Sequence, residues 1–302
     1  MSDVSWFADK KNKTRRLLSR ASHRMKGNER VVVTLTSYPP RINTVWQSIR
    51  SIFAQTHLPD KVVLYLAESD FPNREADLPA SLIDLLWLDF EIRWVDKDLK
   101  PHKKWYWAFQ DFKDDLIVTI DDDLTYRHSM IEELVSAHHQ HPQAIIASRT
   151  HLIMFDEDGS IKPYAQWIYE APHAYPALAG VESMRLFATT GAGTLFVPRL
   201  FPDLVFDTGL IERHCLVADD IWLKVVETIA GVPVVAATPD QLLEYVPDTQ
   251  HVALFRVNID QGGNDAVMKG LFAEMEDRGL MPGSFAKLVR DDSLDQIVGA
   301  GE

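Results

Sequence analysis

Between Val31 and Ile120 the sequence alternates short β-rich apolar runs with stretches of helical periodicity, and this alternation narrows the folds open to the chain. RVVVTLTSYPPR begins as a strand and breaks at Pro39 and Pro40; INTVWQSIRSIFAQ then sets Ile42, Val45, Ile49, Ile52 and Phe53 on one helical face. KVVLYLAE predicts a second strand, LPASLIDLLWLDF a helix after Pro79, EIRWVD a third strand, and KKWYWAFQDF a helix leading into LIVTI. Such a succession predicts an α/β fold with a mostly parallel, doubly wound sheet, whose ligands sit at the carboxyl ends of the strands. Further along, ADDIWLKVVETIAG reads as an amphipathic helix with Ile221, Val225 and Ile229 as its buried stripe.

No internal repeat or low-complexity linker interrupts the chain, so one domain is expected over residues 30–290. A basic leader, residues 1–29, precedes it, and an acidic tail, residues 291–302, is expected to fray. The net charge of −13 excludes a broad nucleic-acid footprint, which needs a basic surface to release counterions. Cys215 is the only cysteine, so neither an intramolecular disulfide nor a cysteine zinc site is available. No run approaches the length of a membrane span and no secretion signal opens the chain, which points to a cytoplasmic protein. The leader holds few large apolar residues, Leu17, Leu18 and Met25 among them, and reads first as a solvated helix. Peripheral contact with anionic lipid is its second reading.

The apolar run Ile117–Ile120 delivers three consecutive carboxylates, Asp121, Asp122 and Asp123, to a strand end, where like charges raise one another's pKa unless a cation offsets them. Three readings compete. A cap or turn would need one Asp, not three. A magnesium phosphatase of the haloacid dehalogenase type would use Asp121 as nucleophile with Asp123 in an Asp-x-Asp-x-Thr pattern, but that motif belongs on a first strand and here three strands precede it. A nucleotide-sugar glycosyltransferase would use Asp-x-Asp to hold a hard divalent ion, which stabilises the charge of the leaving diphosphate.

The rest of the chain separates these readings. VVVTLTSYPPRINTVWQSIRSIFAQTHLPDKVVLYLAESDFP resembles the opening of bacterial, family 2-like glycosyltransferases of the GT-A fold. DLKPHKKWYWAFQDFKDDLIVTIDDDLTY is similar to their Lys-Lys segment and aspartate motif, and GAGTLFVP (191–198) and ADDIWLKV (218–225) resemble two later blocks in the right order. The resemblance spans residues 31–270. It implies a single GT-A domain and a metal-dependent, inverting transfer requiring Mg²⁺ or Mn²⁺. The implied donor is a nucleotide sugar, expected to be a UDP-sugar. The implied acceptor is a glycan or lipid-linked saccharide of the O-antigen, capsule or lipopolysaccharide type, at the inner face of the cell membrane.

Site roles follow from the same resemblance. Asp123 and Asp121 are the metal ligands, Asp121 also touching the donor, while Asp122 points away. Thr36, Ser37, Tyr38 and Arg41 occupy the first loop, where the family holds the nucleotide, and Glu68 ends the second strand within reach of ribose or base. Lys103 and Lys104 oppose the dipole of the helix they open, which implies a nearby anion such as diphosphate. Gly191 and Gly193 are expected to let the backbone approach the donor. Asp219 and Asp220 lie in the first turn of their helix, a capping position that also suits a general base; Asp220 is the expected base and Asp219 its cap or an acceptor contact. His251 is a candidate third metal ligand, His214 a candidate acceptor contact, and Asn264 and Asp265 lie near the site or cap a helix. Trp105, Tyr106 and Trp107 read mainly as core, and the cluster His138, His139 and His141 as solvated or capping.

Overall fold

The structure is a computed structural model that describes residues 29–299, except 87, 241, 248 and 250–262. The basic leader and His251 therefore lie outside the described residues. The first half of the chain runs β1 (Val31–Thr36), α1 (Val45–Phe53), β2 (Lys61–Ala67), β3 (Phe90–Val95), α2 (Lys103–Asp111), β4 (Leu116–Ile120), β5 (Leu124–Thr125) and α3 (Met130–Gln140). The second half continues with β6 (Ile145–Ala147), β7 (Thr150–Leu152), β8 (Leu186–Ala188), β9 (Ala192–Phe196), α4 (Asp219–Ala230), β10 (Val234–Ala236) and β11 (Glu244–Tyr245), and closes on α5 (Gly263–Asp277), α6 (Phe285–Val289) and α7 (Ser293–Gly299).

A seven-stranded sheet in the order β10-β6-β9-β4-β1-β2-β3 forms the centre. All its pairs are parallel except those of β9, which runs antiparallel between β4 and β6. The expected mostly parallel sheet is thus present, with one reversed strand that returns GAGTLFVP to the aspartate strand. Alternate residues of β1 feed opposite cores, as strand pleating requires. Val32 joins Trp105, Phe109 and Trp222 on one side, whereas Val31, Val33 and Leu35 join Ile49, Ile52, Ile131 and Leu134 on the other. Helices α2 and α4 cover the first face, α1 and α3 the second. Two short ribbons complete the frame, β7 with β8 and β5 with β11.

Several sequence expectations need correction. The helix expected across LPASLIDLLWLDF shrinks to one turn, Ala80–Ile83, after which the chain goes over to tighter turns, Leu85 N donating to Leu82 O and Leu88 N to Leu85 O, that still bury Leu85 and Leu88. Helix α4 is not amphipathic in the expected sense: it is buried on nearly every side, and Ile229 is only half-buried. Its interior Lys224 is tolerated because Nζ donates to Leu186 O at 2.8 Å and to Glu227 Oε1 at 2.9 Å, which also pins α4 to β8. The tail expected to fray is helical through Gly299, where Leu294 is buried and Asp295 meets the Arg185 guanidinium at 2.6 Å. Trp105 belongs to the core, and Tyr106 and Trp107 are half-buried. Among the described residues no helix is long and apolar enough to cross a membrane.

Candidate active site

The carboxyl ends of β1 and β4, the turn before β9 and the start of α4 converge on a cavity of about 650 Å³. The three aspartates all line it, and two cations divide them. Ser37 Oγ donates to Asp122 Oδ2 at 2.5 Å, and Arg41 spans Asp122 (2.9 Å) and Asp123 (3.1 Å). Asp121 instead meets Lys104 Nζ at 2.8 Å. Asp122 is therefore more than a residue pointing away: its buried carboxylate anchors the first loop to the aspartate strand. The strand end itself is fixed by Tyr126, whose hydroxyl donates to Gly191 O at 2.6 Å and accepts from Asp121 N at 2.8 Å.

Gly191 is required by that packing. A Cβ at this position would lie 1.7 Å from Asp121 Oδ2, so a side chain and the observed carboxylate cannot coexist. Gly193 has another reason: its φ of +96° and the contact a Cβ would make with Met130 Sδ, at 2.8 Å, call for glycine in the sheet, away from the cavity lining. The expectation that both glycines admit the donor is thus corrected for Gly193. Gly191→Ala should displace Asp121 and lower kcat/KM by about 100-fold, which steady-state kinetics checks alongside the melting temperature.

Lys104 is the hub of the site. It is buried, with a side chain 3% exposed, and a second contact at 3.1 Å reaches Asp219 Oδ2. Burial opposes its charge, but Asp121, Asp219 and Asp220 outweigh that and raise its pKa above the ordinary lysine value. Lys103, expected beside it, turns instead to Asp98. One residue earlier, burial pushes His102 down to about 4, so it is neutral, and its Nε2 donates to Cys215 O at 2.7 Å. That bond ties the start of α2 to the turn that delivers Asp219 and Asp220.

The two acids at the start of α4 differ in environment. Burial raises the pKa of Asp219, yet Lys104 prevails and holds its carboxyl below the usual range. Asp220 is pushed up to about 6, by burial first and by the charge of Asp219 second. The backbone N of Thr190 donates to Asp220 Oδ1 at 2.9 Å, and the Thr190 hydroxyl bridges both acids. Asp220 is half-buried and lines the cavity, which leaves it free to exchange a proton with a ligand.

Of the residues expected from sequence, Thr36, Ser37, Tyr38, Arg41, Lys103, Lys104, Asp121, Asp123, Gly191, Asp219 and Asp220 line this cavity. Glu68 does not: it pairs with Arg74 at the surface, and Asp70, two residues on, takes the place expected for it. His214 is drawn 2.5 Å from Glu274 of α5, outside the lining. Asn264 reaches the cavity, while Asp265 accepts from Tyr164 N at 2.8 Å. His138 and His141 pair with Glu29 and Glu182. Sequence reasoning missed Arg149, His151, Tyr164, Tyr169 and Tyr245, which complete the wall. They come from loops and short strands, where no periodicity marks them.

Among the described residues no group of three carboxylates or histidines is arranged for a metal ion. The site nonetheless fits a hard divalent ion. Asp121, with 42% of its side chain exposed, and Asp123 offer carboxylate oxygens to the cavity, and Mg²⁺-type sites are commonly completed by phosphate and water rather than by protein.

The sequence model of Glycosyl transferase family 2 matches residues 31–195, more than half of the chain. The chain belongs to this family. It is a glycosyltransferase of the GT-A fold, and the phosphatase reading falls away. A mannosyltransferase from Pyrobaculum calidifontis, solved with GDP-Man and Mn²⁺, superposes with a TM-score of 0.51 at 14% identity, covering 90% of this chain and 74% of its own. S. aureus TarS residues 1–349, in complex with UDP-GlcNAc, gives 0.49 at 12% identity over 90% of this chain and 71% of its own. At 14% identity the likeness to the mannosyltransferase is one of fold. No curated protein sequence matches this glycosyltransferase significantly.

Proposed function

We propose that the cavity binds a nucleotide-sugar donor, a UDP-sugar, and transfers its sugar with inversion to a growing cell-surface glycan of the O-antigen, capsule or lipopolysaccharide type. The observation that carries this reading is one cavity lined both by the Asp121–Asp123 pair at the end of β4 and by Asp220, a half-buried acid with its carboxyl near 6. Asp121 and Asp123 would hold Mg²⁺ or Mn²⁺, which when bound supplies positive charge to the leaving diphosphate. The GDP-Man and Mn²⁺ in the mannosyltransferase from Pyrobaculum calidifontis support a nucleotide sugar and a divalent ion at this site.

In this mechanism Asp220 takes the proton from the acceptor hydroxyl as its oxygen bonds to the anomeric carbon. The bond from that carbon to the diphosphate breaks, and the nucleoside diphosphate leaves from the opposite face. Thr190 orients the accepting carboxylate, and Lys104 keeps Asp219 ionised beside it. Thr36, Ser37 and Tyr38 lie where the nucleotide would sit, on a loop that Asp122 and Arg41 hold rigid. Warming the protein with UDP, and separately with GDP, each with and without Mn²⁺, tests the reading. One nucleotide should raise the melting temperature, and only with metal. Stabilisation by inorganic phosphate but by neither nucleotide would sink the proposal.

Peripheral contact of the basic leader with an anionic membrane face belongs to the same reading. Deleting residues 1–27 should weaken co-sedimentation with anionic vesicles, and equal binding by both forms would remove the leader from the account.

A further inference from the structure

One cation of the cavity has hydrogen-bond donors to spare. Arg149 lies between β6 and β7, and its Nε donates to Glu170 Oε1 at 3.0 Å; among the described residues neither Nη has a protein acceptor. The neighbouring cations each face a carboxylate from the protein at their charged end, Lys104 those of Asp121 and Asp219, Lys100 and Lys103 that of Asp98, and Arg41 those of Asp122 and Asp123. Arg149 sits on the Asp220 side of the cavity. Its carbonyl accepts from Thr189 N at 3.1 Å, and the next residue, Thr190, holds Asp220. Tyr164 and Tyr169, with ring centroids 5.8 Å apart, line the same wall, and the charge of Arg149 is felt by both.

The pairing with Glu170 looks built. Glu170 has a φ of +50°, in the left-handed region that a non-glycine residue seldom adopts, and such backbone is kept where the surroundings fix it. From that position its carboxylate engages Nε and leaves the two-pronged Nη edge of the guanidinium for a ligand.

We infer that Arg149 selects an acceptor carrying an anionic group, a carboxylate or a phosphate, close to its attacking hydroxyl. This rests on the reading of Asp220 as the base. A neutral acceptor covering Arg149 would take water from both Nη groups and return no strong acceptor, whereas an anion receives a forked, charge-assisted pair. Rejection through an unsatisfied polar group discriminates strongly between substrates of similar shape. The tyrosine rings offer faces for the sugar.

The experiment is binding of glucuronate, of a hexose phosphate and of a neutral methyl hexoside to the protein saturated with UDP or GDP and the diamagnetic Mg²⁺, followed by ligand-observed NMR against a protein-free control. At least one acidic sugar should bind about tenfold or more tighter than the neutral one, and the two acidic arms tell carboxylate from phosphate. Arg149→Gln should erase the preference and Arg149→Lys retain part of it, each with a melting temperature showing that it folds. Equal binding of all three sugars, or binding of none, overturns the inference. So does an Arg149→Gln variant that loses nucleotide affinity instead, which would move the arginine to the donor. Failure of the wild-type protein to bind either nucleotide is a separate outcome and defeats the transferase mechanism itself.

Discussion

Asp220→Asn is expected to lower kcat by roughly 10²- to 10⁴-fold while metal-dependent nucleotide binding persists. Asparagine keeps the shape and still accepts from Thr190 N, but it takes no proton. The wild-type rate should fall as pH drops through about 6, because a general base works only when deprotonated and Asp220 protonates there. Stability gives an independent check with a defined sign. A carboxyl raised above its unfolded value contributes stability below the unfolded pKa and loses it as pH rises through the folded one. At neutral pH Asp220 is therefore charged at a cost, and Asp220→Asn should be more stable than the wild type. Asp219 has the opposite linkage: its lowered carboxyl contributes stability above the unfolded pKa, which is lost as pH falls. Asp219→Asn should accordingly melt earlier at neutral pH, since Lys104 loses a buried partner. A retained acid limb near 6 in Asp220→Asn, or a kcat close to wild type, would show that another group takes the proton.

The legible parts of this fold are those in which a local pattern and the tertiary structure agree. Strands β1, β2 and β4 are apolar runs bounded by turn residues, and α1 carries its core stripe at helical spacing, so their existence and order could be read directly. The place of the three aspartates at the cavity was legible because carboxylates at the end of a buried strand conflict with burial and need partners or a ligand. Pairing was not legible. Nothing in IVTIDDDLTY says that Asp121 turns to Lys104 while Asp122 and Asp123 share Arg41, since the partners lie 17 and about 80 positions away. The reversal of β9 was hidden for the same reason: GAGTLFVP reads as a strand in either direction. Glu68 and Asp70 are both acids after β2, and only the turn geometry decides which reaches the cavity. The tyrosine wall was invisible because its members are scattered between residues 164 and 245, in segments with no period.

Asp123→Ala should abolish metal-dependent stabilisation by nucleotide while leaving the unliganded melting temperature close to wild type. Its carboxylate shares Arg41 with Asp122, so truncation leaves the guanidinium paired at 2.9 Å, and the strand keeps its backbone link from Val246 N to Asp123 O at 2.8 Å. What disappears is one of the two carboxylates offered to a divalent ion. In the wild type, ligand at a hundredfold its Kd is worth about 2.7 kcal/mol, or several degrees in a chain of this length; in the variant the shift should vanish. Asp122→Ala is the informative contrast, because this neighbour is buried against Ser37 and Arg41. Its loss takes the closer carboxylate from the half-buried Arg41, which keeps Asp123 at 3.1 Å, and strips the buried Ser37 hydroxyl of its acceptor, so it should cost about 1–3 kcal/mol of stability. Adjacent residues of one motif would then fail in different ways, one in binding and one in folding. Were Asp123→Ala to keep the full metal-dependent shift, the ion would have to sit elsewhere, and the division of labour among the three aspartates derived from Arg41 and Lys104 would be wrong.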